Sequence, residues 1–255
     1  VDVTNGGGDP GDGFDVRSLA VTYRESHLTG EHAHPWAQLV YAKSGLMHLT
    51  VEDRVWFVPP TRAIWVPPEV LHRISFKGEV ALRTLYISGE RAQPIDRGVE
   101  ALEVSPLLSE LILHILSIAM LDPAIPAHDR LAGVLVDLIV AAPRMDLALP
   151  LPKDERALRL AERFRNDPAE KSDLEVLARE AGASLRTLQR CFSEETGLTV
   201  DAWRQKARLV HSAAALASGA SVTDAALDCG YDSTSAYIAA FKKQFGVTPG
   251  RFERG

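Results

Sequence analysis

"SVTDAALDCGYDSTSAYIAAFKKQFGVTPGRF", residues 221–252, divides into two helix-forming runs around one glycine. Apolar residues three and four apart carry the first run to Cys229, Gly230 supplies the turn, and Ser233 stands where a helix N-cap belongs. On the second run Tyr237 and Phe241 share one side, which leaves Thr234, Ser235, Ala239 and Lys242 on others. The pattern is helix, tight turn, helix.

The same design occurs upstream in "DLEVLAREAGASLRTLQRCFSEETG", residues 173–197. An apolar helix ends near Ala181, Gly182 turns the chain, and Ser184 caps a second helix that buries Leu185, Leu188 and Phe192. Arg186, Gln189 and Arg190 face away from that side, and arginine and glutamine pair bidentately with guanine and adenine edges in the major groove. The two outward-facing helices are centred about fifty residues apart. Between them "TVDAWRQKARLVHSAAALAS", 199–218, reads as one unbroken helix of roughly 30 Å. That length suits two units set one turn of DNA apart, about 34 Å. The spacing predicts helices over 154–166, 173–181, 184–195, 199–217, 222–229, 233–245 and 248–253.

This half resembles the DNA-binding domain of the AraC/XylS transcription regulators, through "AALDCGYDSTSAYIAAFKKQFGVTPGRF" above all. The resemblance implies sequence-specific binding to promoter DNA, with Arg186, Gln189 and Arg190 in base-reading positions and Thr187 beside them. Thr234 and Ser235 match contacting positions of the second unit, whereas Ala239 stands where some members carry an arginine. Lys206, Arg208, Lys242 and Lys243 are candidate phosphate contacts, which add salt-sensitive affinity without specificity.

Working toward the N-terminus, "PRMDLALPLPKDE" (143–155) has the proline content of a linker, and 143–153 is so assigned. Before it, "SPLLSELILHILSIAML" (105–121) and "HDRLAGVLVDLIVAA" (128–142) read as a helical pair, opened by Ser105 and by His128 to Asp129. They are more apolar than one buried stripe requires, so residues 89–142 form a helical segment suited to a homodimer interface. Over residues 16–88 the apolar runs are short: "AQLVYA", "LMHLTV", "VWFV", "AIWV", "HRISF" and "ALRTLYI", separated by Ser-Gly, Pro-Pro and Lys-Gly pairs. That is the pattern of a small antiparallel barrel or sandwich. Residues 1–15 are glycine- and aspartate-rich and read as a disordered tail.

Five of the eight histidines lie between His27 and His72. His32, His34 and Gln38 share one strand face, and His72 can reach it from a neighbouring strand. Three imidazoles and an amide oxygen suit a divalent ion such as zinc, nickel, copper, iron or manganese. Trp36, Tyr41 and Trp65, with Gln38, are candidates for the wall around a small-molecule effector.

The spacing resembles the cupin barrel, whose first motif has His-x-His, a glutamate and a glycine, matched here by His32, His34, Gln38 and Gly45. Its second motif, Pro-x-Gly-x-x-His, is matched by Pro67, Glu69 and His72. Gln38 replaces the charged ligand, Glu69 replaces the glycine, and Phe76 replaces the usual asparagine. The resemblance admits two readings: a metal-dependent oxygenase or isomerase, or a sensor that binds a small molecule or metal ion. Fusion to a double helix-turn-helix favours the sensor. "HAHPWAQLVYAKSG" and "RAIWVPPEVLHRI" also resemble the NimR-like subgroup of AraC-type regulators, which implies control of a neighbouring transporter or efflux gene. RNA polymerase is a further partner if the protein activates.

The fold class expected is α+β: a cupin-like β-barrel followed by helices, then an all-α domain over 154–255 with two helix-turn-helix units. A net charge of −6 hides an uneven split, with 12 basic and 19 acidic residues in 1–152 against 16 and 15 in 153–255. DNA contacts are therefore expected in the rear half alone. The two cysteines, Cys191 and Cys229, lack disulfide or zinc-site spacing and read as small core residues. No apolar run is long enough to span a membrane and the start has no signal-peptide pattern, so a cytoplasmic location is expected.

Overall fold

The computed structural model describes residues 12–60, 62–95 and 97–254. It forms two units: one runs to Asp146, except that Asp53–Val55 group with the other, which spans Leu147–Arg254. Of the tail expected over 1–15, residues up to 11 lie outside the described residues. Asp15 is tied down: its N–H donates to the Leu121 carbonyl and its carbonyl accepts from the Ser88 N–H.

The first unit is built on an antiparallel sheet. Its strands are β1 (Val16–Tyr23), β2 (His27–Leu28), β3 (Ala37–Val51), β4 (Arg54–Val58), β5 (Arg62–Val66) and β6 (Arg73–Ile87). After the short helix α1 (Gly89–Ala92) come strand β7 (Glu100–Glu103), helix α2 (Pro106–Ile118), strand β8 (Met120–Leu121), helix α3 (Pro126–Ala141) and strand β9 (Arg144–Met145). The order across the sheet is β8-β1-β6-β3-β5-β7-β9, with β2 added to β6 and β4 to β3.

Four expectations need correction. The Ser44-Gly45 and Lys77-Gly78 pairs are not hairpin turns: β3 and β6 run through them as 15-residue strands. The register slips between Ala42 and Leu46, a β-bulge that bends the strand and lets pairing resume. Gly45 makes this possible, with φ +84 and a Cβ position that would fall 2.3 Å from the Glu79 carbonyl oxygen. The segment 89–142 is not all helix, because β7 pairs with β5. Part of the expected linker, Arg144–Met145, is β9, paired with β7. Finally, α3 opens with Pro126 at its first turn behind Ile125, and no side chain caps it. Ser105 does cap α2, accepting from the Leu108 N–H at 3.2 Å.

The second unit holds a short strand, β10 (Ala148–Pro150), and seven helices: α4 (Glu155–Asn166), α5 (Leu174–Glu180), α6 (Leu185–Thr196), α7 (Val200–Ala217), α8 (Val222–Asp228), α9 (Thr234–Phe245) and α10 (Pro249–Arg254). Asp154, Asp173, Ser184, Thr199, Ser221 and Ser233 cap the first six of these. The long helix α7 is the hub. Its Trp203 is fully buried, with ring centroids 6.5 Å from Phe164 of α4 and 5.6 Å from Phe192 of α6. Its indole N–H donates to the Pro150 carbonyl at 2.5 Å. Cys191 and Cys229 are free and buried, as core residues. No helix among the described residues is long and apolar enough to cross a membrane.

Candidate functional site

Two places gather chemistry. In the sheet unit, His32 and His72 face each other across an isolated bridge, exchanging both backbone hydrogen bonds at 2.9 Å. The Glu69 N–H donates to the His34 carbonyl at 2.9 Å and holds the third histidine to the same turn. Glu69 takes φ +62, the left-handed conformation for which the cupin pattern uses glycine, so this chain keeps the turn at a cost of about 1–2 kcal/mol. The potential ligand nitrogens of His32, His34 and His72 all lie within 4.8 Å of one another.

Each ring is oriented from behind by main chain. Nδ1 of His32 lies 2.9 Å from the Gly30 carbonyl, that of His34 2.7 Å from Trp36, and that of His72 2.8 Å from Val70. A carbonyl accepts, so Nδ1 of each ring carries a proton, and wherever the ring is neutral its Nε2 is a bare lone pair turned inward. Gln38 Oε1 sits among them, 3.2 Å from His34 Nε2 and 3.1 Å from His72 Nε2. Its orientation is set by Thr84: the Gln38 amide N–H donates to the Thr84 hydroxyl at 3.0 Å, which donates to the Leu39 carbonyl at 3.2 Å. His32 Nε2 is buried with no hydrogen-bond partner among the described residues. Burial pushes His72 down to about 4, and the neighbouring His32 and His34 add to the shift, so His72 is neutral at pH 7. When the rings are neutral, their three Nε2 atoms and the Gln38 oxygen are acceptors with no donor among them, an arrangement suited to a cation.

The structure divides the expected effector wall. Gln38 pairs with Tyr86 and Val66, whereas Trp65 pairs with Leu39 on the opposite face, and Tyr41, three residues beyond Gln38, shares that opposite face. Tyr41 and Trp65 belong to the apolar cluster under α2 and α3, with the Tyr41 hydroxyl 3.2 Å from that of Ser109. They do not line the histidine cradle. Trp36 is fully buried and serves the cradle through its carbonyl, with the Arg17 guanidinium 5.6 Å from its ring centroid. Sequence reasoning missed Thr84 and Tyr86, whose ring stands edge-on to His34 at 5.3 Å. Counting by twos along "ALRTLYI" would have found both.

In the helical unit, Ser184 and Ser233 accept from Thr187 N–H and Ala236 N–H and so fix where α6 and α9 begin. Leu188, Cys191 and Phe192 are buried under α6, and Tyr237 and Phe241 under α9. This leaves Arg186, Gln189 and Arg190 exposed on α6, and Ser235, Lys242 and Lys243 exposed on α9, with Thr234 half-buried. The Thr187 hydroxyl lies 2.9 Å from that of Ser184, and Arg190 pairs with Glu194 at 3.2 Å. Lys206 is half-buried on α7. Arg208 departs from expectation. Its guanidinium donates to the carbonyls of Pro168 and Glu170, at 2.7 and 3.0 Å, so it faces the protein rather than a phosphate backbone.

Residues 16–161 match the family model of the AraC-like ligand binding domain, and residues 177–255 match a helix-turn-helix domain. The chain is 35% identical over 221 residues to the HTH-type transcriptional regulator NimR of Escherichia coli, a match that covers 87% of this chain and 81% of NimR. It is 36% identical over 106 residues to the HTH-type transcriptional regulator RipA of Corynebacterium glutamicum, covering 42% of this chain and 32% of RipA. Among solved structures, ToxT from Vibrio cholerae aligns over 95% of this chain and 97% of its own, at 12% identity and a TM-score of 0.41. Matched over both halves, the chain belongs to the AraC family of helix-turn-helix transcription regulators, with an AraC-like ligand-binding domain preceding its DNA-binding domain.

Proposed function

We propose that this regulator reads promoter DNA through α6 and α9 and that a divalent metal ion, held in the sheet unit, sets its DNA affinity. The observation that carries the metal reading is the buried, unpartnered Nε2 of His32, aimed among the inward-facing Nε2 atoms of His34 and His72 and the amide oxygen of Gln38. These four side chains would hold the ion, and neutral imidazole suits zinc, nickel, copper and iron alike. A bound cation supplies the positive charge that the four acceptors lack. By linkage, its largest effect on DNA affinity equals its differential affinity for the bound and free states.

Arg186, Gln189 and Arg190 are the base-reading set, and Lys242 and Lys243 contact phosphates. The experiment is fluorescence anisotropy at fixed salt, using DNA from upstream of the chain's own and adjacent genes. Chelator-treated protein is compared with protein given each metal in turn. A metal-dependent affinity supports the sensor, while specific binding indifferent to every metal removes it. Arg190→Ala is expected to cost about 1–3 kcal/mol on the cognate site and to relax specificity there. Unchanged specificity would remove Arg190 from the base-reading set.

A second copy of the chain covers the outer face of α2 and α3, where Leu107 and Val134 are 62% and 45% exposed beside the packed pair. Sedimentation velocity should give a dimer for the wild type and a monomer for the Leu107→Glu, Val134→Glu double variant. A wild-type monomer at all concentrations would refute it. If the regulator activates, RNA polymerase is the partner that reads out the bound state.

A further inference from the structure

We infer that Arg208 is a positioning residue: it clamps the loop between α4 and α5, and through that loop fixes the second helix-turn-helix relative to the first. The inference rests on the reading of α6 and α9 as the DNA-reading helices, and it concerns what sets the distance between them.

The loop, residues 167–173, is held on three sides. From α7, Arg208 reaches two of its carbonyls, those of Pro168 and Glu170, with Nε and Nη2. From α4, Arg163 donates to the Glu170 carboxylate at 2.8 Å and also pairs with Glu180 at the end of α5, so the same guanidinium ties the loop to the first reading unit. From the far side comes the turn between α8 and α9. Gly230 there has φ +74 and comes so close that a Cβ would lie 3.1 Å from the Ala169 Cα and 3.5 Å from Arg208 Nη2. Lys171 pairs with Asp232 of the same turn at 2.8 Å. The turn ends at Ser233, the cap that starts α9.

The loop is also braced within itself. Glu170 accepts from the Ser172 N–H at 2.8 Å, and Asp167 from the Ala169 N–H at 3.1 Å. A forked guanidinium that satisfies two carbonyls of one loop is a rigid connector, which a lysine ammonium cannot reproduce. With the loop fixed to α7, the approach of Gly230 and the Lys171–Asp232 pair leave the α8–α9 turn one seat. Fixed spacing matters because two reading helices must enter successive grooves about one helical turn apart.

The test reads the distance directly in the full chain. Spin labels are placed on Ser193→Cys of α6 and Ala239→Cys of α9, both exposed positions. The native Cys191 and Cys229 are buried, and burial pushes the Cys229 thiol up to about 12, which protects it from labelling. Pulsed electron–electron distance measurement should give one narrow distribution for the otherwise wild-type chain and a broadened or shifted one for Arg208→Ala. Lys171→Glu, at a solvent-exposed pair, should also broaden it, and adding Asp232→Lys should restore it.

On DNA, operator duplexes selected from random sequence are compared with the same duplexes scrambled at the second half-site. Arg208→Ala should lose at least about fivefold on the intact operator, with little change on the scrambled one. The salt dependence should be unchanged, whereas removal of a phosphate contact would lower its slope by about 1. Unaltered distance distributions in both single variants, or a lowered salt slope, would overturn the inference. A wild type that ignores the scrambling while the distances respond would instead refute α9 as a reading helix and leave the clamp intact.

Discussion

Trp203→Ala is expected to destabilise the helical unit by about 3–5 kcal/mol, the range for truncating a large buried aromatic. Trp203 is fully buried and stands where α4, α6 and α7 meet, against Phe164 and Phe192. The loss has two parts: the aromatic area returned to a cavity, and the Pro150 carbonyl left without its indole donor. Against a typical domain stability of about 5–15 kcal/mol, this is a large fraction of the total and leaves a unit at the low end of that range marginal. Trp203→Phe keeps most of the packing and should cost markedly less. Urea unfolding followed by far-ultraviolet circular dichroism measures both. A loss below about 1 kcal/mol for Trp203→Ala would mean that the junction repacks and that α6 is held mainly by its own cap and buried face. Where the prediction holds, α6 loses its seat, and DNA binding should fall with it although no DNA-contacting group has been touched.

The helical unit was legible because its signals are local. Each of Ser184, Thr199, Ser221 and Ser233 precedes an apolar period of three and four, and each is the observed N-cap. The sheet unit was less so, for three physical reasons. Serine-glycine and lysine-glycine pairs carry the same chemistry in a hairpin turn and in a bulge, and only the partner strand decides between them, so Gly45 was misread. Strands of four and two residues, β7 and β9, hold too little pattern to be seen: β7 forms because β5 offers an edge, and β9 because β7 then offers the next. Ala37 to Ala42 are all buried, so hydrophobic alternation vanishes there and Tyr41 and Trp65 were put on the wrong face.

The histidine cradle was legible as a set of residues and not as a chemistry. His32, His34, Gln38 and His72 do converge, yet sequence alone could not say which nitrogen each ring presents. That depends on the carbonyls of Gly30, Trp36 and Val70, which a side-chain pattern does not encode. Arg208 fails for a related reason. A basic residue on an exposed-looking helix face reads as a phosphate contact until the loop that folds over it is known.

His34→Ala is expected to abolish a one-to-one zinc or nickel complex at micromolar protein, as read by isothermal titration calorimetry and by metal content after desalting. Loss of an outer-shell partner alone lowers metal affinity by about 10–100-fold, and loss of a ligand should exceed that. Thr84→Val supplies the outer-shell comparison: it removes the hydroxyl that turns the Gln38 oxygen inward, leaves all four donors in place, and should fall within that range. Gln38→Glu should act in the opposite sense and tighten binding, because three imidazoles and an amide leave the full dipositive charge uncompensated in a buried pocket. Unchanged affinity in His34→Ala would place the ion outside the cradle, and no uptake by the wild type would fit a Gln38 amide turned over, donating to His34 and His72 and making the cradle a satisfied polar core. If Gln38→Glu tightens binding yet blunts the response of DNA affinity to added metal, the neutral amide has a functional meaning. A site that holds its ion without a counter-charge exchanges it readily, as a sensor must, whereas a carboxylate would hold the ion as a permanent part of the fold.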